Sequence, residues 1–319
     1  MPSVPSTDPR PAASYLPVAA LIFNAFVWGT SWWPFRRLES HGLHPLWATA
    51  MIFLLAALVI AALRPRAIGQ VLHTPALWVL VAASGTTNAA FNWAVVVGDV
   101  VRVVLLFYLM PLWTVLLARL VLGERFTARA VLRVALGLTG AAIVLWPAGA
   151  VGLAAWPLPR TLADGLGLLG GFTFALNNVM LRREAARPEE GRALAMFVGG
   201  ALVAGALASG LAAQGAVAWP PPIAAGWVGL AGALGVLFLF GNLALQYGAA
   251  RLPANRTAVV MLTEVFFAAA SAVALGGEVL TWPLVMGGLL IGCAALLAAP
   301  SSHRRPPLAA APPRTRSSP

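Results

Sequence analysis

Charge is scarce in this sequence of 319 residues: only 10% are Asp, Glu, Lys or Arg, against roughly 25% in soluble domains. Lysine is absent, so all 21 basic residues are arginine. The single cysteine, Cys293, excludes an intramolecular disulfide and a cysteine metal cluster. His41, His44, His73 and His303 are scattered without ligand spacing, so no metal is expected. No Gly-rich phosphate loop is present, so ATP coupling would need a partner, and no cofactor is expected. There is no HExxH, no Ser–His pairing and no carboxylate cluster, which leaves an intramembrane enzyme without its residues. A channel's ring of repeated carbonyls or charges is also missing. A sensor or scaffold would be favoured by a soluble appended domain, and none is read here.

What the chain has in excess is apolar residues, at 60%. One aqueous core cannot bury that much, so lipid has to cover it. The expected class is an all-α integral membrane protein. With about 20 apolar residues per crossing, spans are expected near 16–35, 44–63, 74–96, 101–121, 128–146, 163–181, 193–213, 224–248, 255–275 and 281–299. Residues 1–15 are polar and proline-rich and lack the layout of a cleavable signal. They read as an N-terminal tail, and the first span is expected to be retained. Residues 300–319, rich in Pro, Arg and Ser, read as a disordered C-terminal tail.

The formal charge of +11 is not a nucleic-acid signature, because the arginines flank apolar runs instead of covering one polar face. With ten spans, seventeen arginines fall on the side of both tails. Arg36, Arg37, Arg102 and Arg160 fall on the other. The positive-inside rule then places both termini in the cytoplasm of a multi-pass protein of a bacterial inner membrane.

The chain matches itself at an offset of 154: Asn88 with Asn242, Asn92 with Gln246, Arg102 with Arg256, Glu124 with Glu278. At an offset of 146, Arg36 and Arg37 match Arg182 and Arg183. A first five-helix repeat over 16–146, a connecting loop over 147–162 and a second repeat over 163–299 are expected. Five is odd, so the copies enter the membrane from opposite sides, a plan common among secondary transporters.

Polar side chains inside spans usually face protein or a wet cavity. Asn24, Trp28 and Ser31 share one helical face, as do Asn88 with Asn92 and Asn242 with Gln246. Thr173 and Asn177 share a face, with Asn178 adjacent. These four helices are related by the repeat, and their faces are expected to converge on a midplane cavity for a small polar molecule. The plainer reading makes the amides interhelical glue, worth about 0.6 kcal/mol each. Glu264 is the one carboxylate near mid-span. It would bind a substrate ammonium or carry a proton, or serve as a hydrogen-bonded structural acid. Pro111 is expected to kink the fourth span and act as a hinge. Tyr108 beside it would line the ligand pocket or simply pack. Gly288 and Gly292 form a GxxxG pattern suited to close packing or a homodimer.

At this point WGTSWWPFRR on the first span and LMPLWTVLLARLVLGE on the fourth resemble the drug/metabolite transporter superfamily, EamA-type branch. The resemblance covers about residues 16–299. Members usually carry a Glu-Pro pair in spans four and nine, then a Gly-Glu end. Here the first copy keeps Pro111 and Gly123-Glu124. The second keeps Glu264 and Gly277-Glu278 but has Val265 where proline is usual. FYLMPLWTVLLA is also similar to amino-acid exporters, aromatic amino-acid exporters among them. The resemblance implies a secondary transporter, not an enzyme. It would export small metabolites, amino acids foremost, by alternating access through a cavity between the repeats. Drug, sugar or other metabolite efflux, or a non-transport scaffold, are the alternatives.

Overall fold

The computed structural model describes residues 15–123, 128–146, 158–249, 251, 260–261 and 263–298. The expected tails, most of the connecting loop and Glu124 lie outside these residues. The described residues are helical, with no strand among them. In chain order the helices are α1 (Leu16–Thr30), α2 (Trp32–Ser40), α3 (Pro45–Leu63), α4 (Arg66–Leu72), α5 (Pro75–Val97), α6 (Val100–Phe107) and α7 (Met110–Leu122). They continue with α8 (Ala128–Leu145), α9 (Leu162–Arg183), α10 (Glu189–Ala213), α11 (Ala225–Ala249), α12 (Thr263–Gly276) and α13 (Trp282–Ala298).

Local chemistry sets the helix ends. Proline stands in the first turn of α1, α3, α5 and α7, where its missing N–H costs no bond. The His44 ring accepts from the Leu46 amide at the start of α3. Thr161 and Asp164 form a capping box on α9. α1 runs straight on into α2 through Ser31, and α6 into α7 through Tyr108 and Leu109. Pro111 thus marks the start of α7 just after a break, where a continuous span would have needed its amide.

Among the described residues, six stretches are long and apolar enough to cross a membrane: Leu16–Ser40, Pro45–Leu63, Pro75–Val97, Val100–Leu122, Glu189–Ala213 and Ala225–Leu245. Val134–Leu145, Thr263–Gly276 and Trp282–Ala294 are shorter apolar helices. Phe26, Leu54, Leu58, Phe240, Phe266 and Leu289 point outward, giving an apolar exterior of the kind that lipid covers.

Helices from the two halves of the chain pack on each other throughout. α5 lies between α9 and α10, α3 lies on α10 and α11, α1 on α11 and α12, α9 on α6 and α7, and α8 on α13. Several seams are tight enough to require glycine. A Cβ on Gly85 or on Gly199 would collide with the other helix's backbone, and so would one on Gly140 or Gly287. In the last helix the close approach falls on Gly287. Gly288 faces Leu105 of the same chain, and Gly292 meets nothing.

Candidate functional site

A cavity of about 200 Å³ lies among the helices of both halves. α1 contributes Asn24 and Trp28. α5 contributes Ser84, Thr87, Asn88 and Phe91. α9 contributes Phe174, Asn177, Asn178 and Leu181. Asn242 comes from α11 and Glu264 from α12, with Met261 just before it. Phe53, Phe107, Met196 and Phe197 complete much of the wall.

The side chains are aimed by their neighbours. Asn88 donates to the Ser84 carbonyl at 2.8 Å. Asn242 donates to the Phe238 carbonyl at 3.1 Å, the same step back along its own helix. Thr87 donates to Thr173 Oγ1 at 2.9 Å and so ties α5 to α9. The Tyr108 hydroxyl reaches Glu264 Oε2 at 3.0 Å and the Met261 carbonyl at 3.2 Å. Tyr108 therefore lies behind the wall and fixes the carboxylate, instead of lining the cavity itself. Gly29 lets α1 come against α12 there, because a Cβ would sit 2.7 Å from the Glu264 carbonyl oxygen.

Two acceptors on cavity-lining residues have no partner among the described residues. Asn24 Oδ1 and Asn177 Oδ1 are buried and accept no hydrogen bond, although each residue is only 1% exposed. The amide nitrogen of Asn24 has only the Met261 sulfur, at 3.7 Å. Unmet buried acceptors cost free energy and are rare in settled cores; Gln70 Oε1 and Asn92 Oδ1 are unmet as well, away from this lining.

Aromatic rings close one side. Trp28 stacks on Phe238 with centroids 4.6 Å apart and planes 16° apart. Phe91 meets Phe107 edge-on at 4.9 Å, and Phe107 meets Phe174 at 5.3 Å. In the other direction the lining runs to Leu181 and Ala193, next to Arg182 and Arg192. The cavity thus reaches toward the arginine-rich end of the bundle.

The arginine-poor end is bolted. Arg36 donates to the carbonyls of Val95 and Gly98, at 3.2 and 2.7 Å, and pairs with Glu278 at 3.3 Å. The Glu278 carboxylate also accepts from the Val100 amide at 3.1 Å, capping α6 from the other half of the chain. Arg102 forks onto Asp164 at 2.6 and 3.1 Å and donates to the Val144 carbonyl at 2.6 Å. An open cleft of about 390 Å³ surrounds that pair. Its carboxylate and guanidinium are committed to each other, so the deeper cavity is the better candidate.

The sequence-expected residues divide accordingly. Asn24, Trp28, Asn88, Asn177, Asn178, Asn242 and Glu264 come together at the cavity. Ser31 turns back onto the Trp28 carbonyl at 2.8 Å. Asn92 donates to Thr49 at 3.0 Å and is fully buried away from the lining. The side chains of Gln246 and Pro111 lie outside the described residues. The phenylalanines of the wall were not expected, because an aromatic on an apolar helix carries no signal separating lining from core. Among the described residues no group of His, Cys, Asp and Glu is arranged to hold a metal.

The sequence profile of the EamA-like transporter family matches this chain twice, over residues 16–146 and 161–299. No curated protein matches it in sequence. A solved structure described simply as a crystal structure of a protein aligns with a TM-score of 0.52 at 18% identity. That alignment covers 88% of this chain and 96% of the other, and the likeness is one of fold.

Proposed function

Since the chain belongs to the EamA-like transporter family, a family of membrane transporters of small molecules, we propose that it exports small amine-bearing metabolites, amino acids among them. The route is the central cavity, and the mode is alternating access. The observation that carries this reading is one cavity shared by both halves, holding a lone described carboxylate, Glu264, and two unmet amide oxygens. Substrate enters from the arginine-rich end, which the positive-inside rule makes cytoplasmic. The protein sits in a bacterial inner membrane with both termini in the cytoplasm.

Ten crossings follow if α1 with α2, α3, α5, α6 with α7, and each of α8 to α13 traverse once. Two repeats, 16–146 and 163–299, then carry five crossings each. The doubled family match has nearly those bounds. The packing supports the same division. Exchanging the halves turns the contact of α1 on α11 into that of α9 on α5. It likewise turns α1 on α12 into α9 on α7, and α3 on α11 into α10 on α5. α3 with α10 and α8 with α13 are each a pair of mates. Such symmetry lets the two ends of the cavity exchange roles by rocking one bundle on the other. Release on the far side requires the Arg36–Glu278 and Arg102–Asp164 bolts to part.

The test is counterflow in proteoliposomes with a panel of radiolabelled amino acids and amines. Exchange of at least one is expected, and exchange of none overturns the proposal. A proton shuttled by Glu264, which faces Tyr108, makes exchange pH-dependent in the native chain. Glu264→Gln flattens that profile, and an unaltered profile discards the proton role.

A further inference from the structure

Resting on that transport reading, we propose a narrower ligand class. The cavity takes an organic monocation, an amine or guanidine with N–H donors on an aromatic or apolar body, without a free carboxylate. The charge of the described lining is one-sided. Glu264 is acidic, and no described lining residue is basic. Asn24 Oδ1 and Asn177 Oδ1 are buried acceptors lacking a donor. Glu264 supplies the countercharge that a protonated nitrogen requires, and the two unmet oxygens belong to residues of the same wall.

A zwitterionic amino acid satisfies only half of this arrangement. Its ammonium has Glu264, but its carboxylate would be desolvated beside that same acid with no basic side chain among the described lining residues to answer it. A buried charge without a partner is the costly case. The remainder of the wall is aromatic. Trp28, Phe91, Phe107 and Phe174 present ring faces and edges to one small volume. Ring faces attract a cation and accommodate a flat apolar body. At about 200 Å³ the space suits one ring bearing a short cationic arm.

The experiment uses the full chain in proteoliposomes and three radiolabelled probes: benzylguanidine, L-phenylalanine and 3-phenylpropionate. They share a ring and differ in charge. Benzylguanidine is expected to exchange with a half-saturation about tenfold or more below that of L-phenylalanine, the scale of one charged hydrogen bond. 3-Phenylpropionate is expected neither to exchange nor to compete. Half-saturation for L-phenylalanine equal to or below that for benzylguanidine overturns the inference and leaves the transport reading intact. No benzylguanidine exchange also overturns it, and the wider panel then judges transport separately. Glu264→Gln should abolish benzylguanidine exchange, with Glu264→Asp as the second variant if the first fails to fold. Native half-saturation in a folded Glu264→Gln protein sinks the proposal.

Discussion

Two polar regions of this molecule use similar residues to opposite ends. At the arginine-poor end, Arg102 commits its guanidinium to Asp164 and the Val144 carbonyl, while Glu278 answers both Arg36 and the first amide of α6. In the cavity, Asn24 and Asn177 keep carbonyl oxygens that nothing meets. The first region holds helices together across the two halves. The second has acceptors unanswered among the described residues. Fully satisfied polar networks rigidify a structure, whereas a buried polar group left unpaired is costly. Substitutions at the two regions should therefore fail in different assays.

The largest effect is expected at the bolted end. Arg102→Ala removes the countercharge of the buried Asp164 carboxylate, which is 1% exposed and keeps the Arg160 and Thr161 amides as donors, and should cost about 3 kcal/mol of stability. Thermal unfolding of the detergent-purified protein reads this. The double variant with Asp164→Ala should recover part of the loss, and a strictly additive loss would mean that the pair does not act as a unit.

Next comes the seam between halves. Gly85→Val drives a side chain into the backbone of Gly199 and should cost about 1–3 kcal/mol by the same measurement. A native melting point would show that α5 and α10 can separate without loss.

Tyr108→Phe removes the donor to Glu264 while keeping the ring in place. A loss of about 1 kcal/mol in transition or binding free energy, roughly fivefold in counterflow, is expected with little change in melting. Equal effects in both assays would make Tyr108 a packing residue.

The smallest effects separate two asparagines that look alike in the sequence. Asn92 also has an unmet Oδ1 but lies away from the lining, so Asn92→Leu, which breaks the bond to Thr49, should cost about 0.6 kcal/mol of stability with exchange retained. Asn177→Leu removes an unmet acceptor, so it should leave melting unchanged or raise it, and weaken exchange severalfold. If Asn177→Leu destabilises as Asn92→Leu does, the unmet Asn177 oxygen is merely a defect of packing.

Asparagine faces at helical spacing were legible in the sequence for Asn24, Asn88, Asn177 and Asn242, because a polar side chain in an apolar span must face inward. The same rule picked Asn92 and Ser31 as well. It fixes which side of a helix is polar, but not whether the partner is a neighbouring residue or a ligand. The arginine asymmetry set an orientation. It gave no hint that Arg36 and Arg102 spend their donors on helix C-termini and on carboxylates more than sixty positions away in the chain.

The sequence by itself determined that this chain is helical, belongs in lipid and carries a doubled family pattern. Those properties are sums over local choices: apolar runs of crossing length, turn residues between them, arginines at their ends. Only the tertiary structure decided that Glu264 meets Tyr108, that phenylalanines from five helices wall a cavity, and that two amide oxygens within it go unmet. Each of these depends on distance between remote segments, and helical periodicity carries direction but no distance.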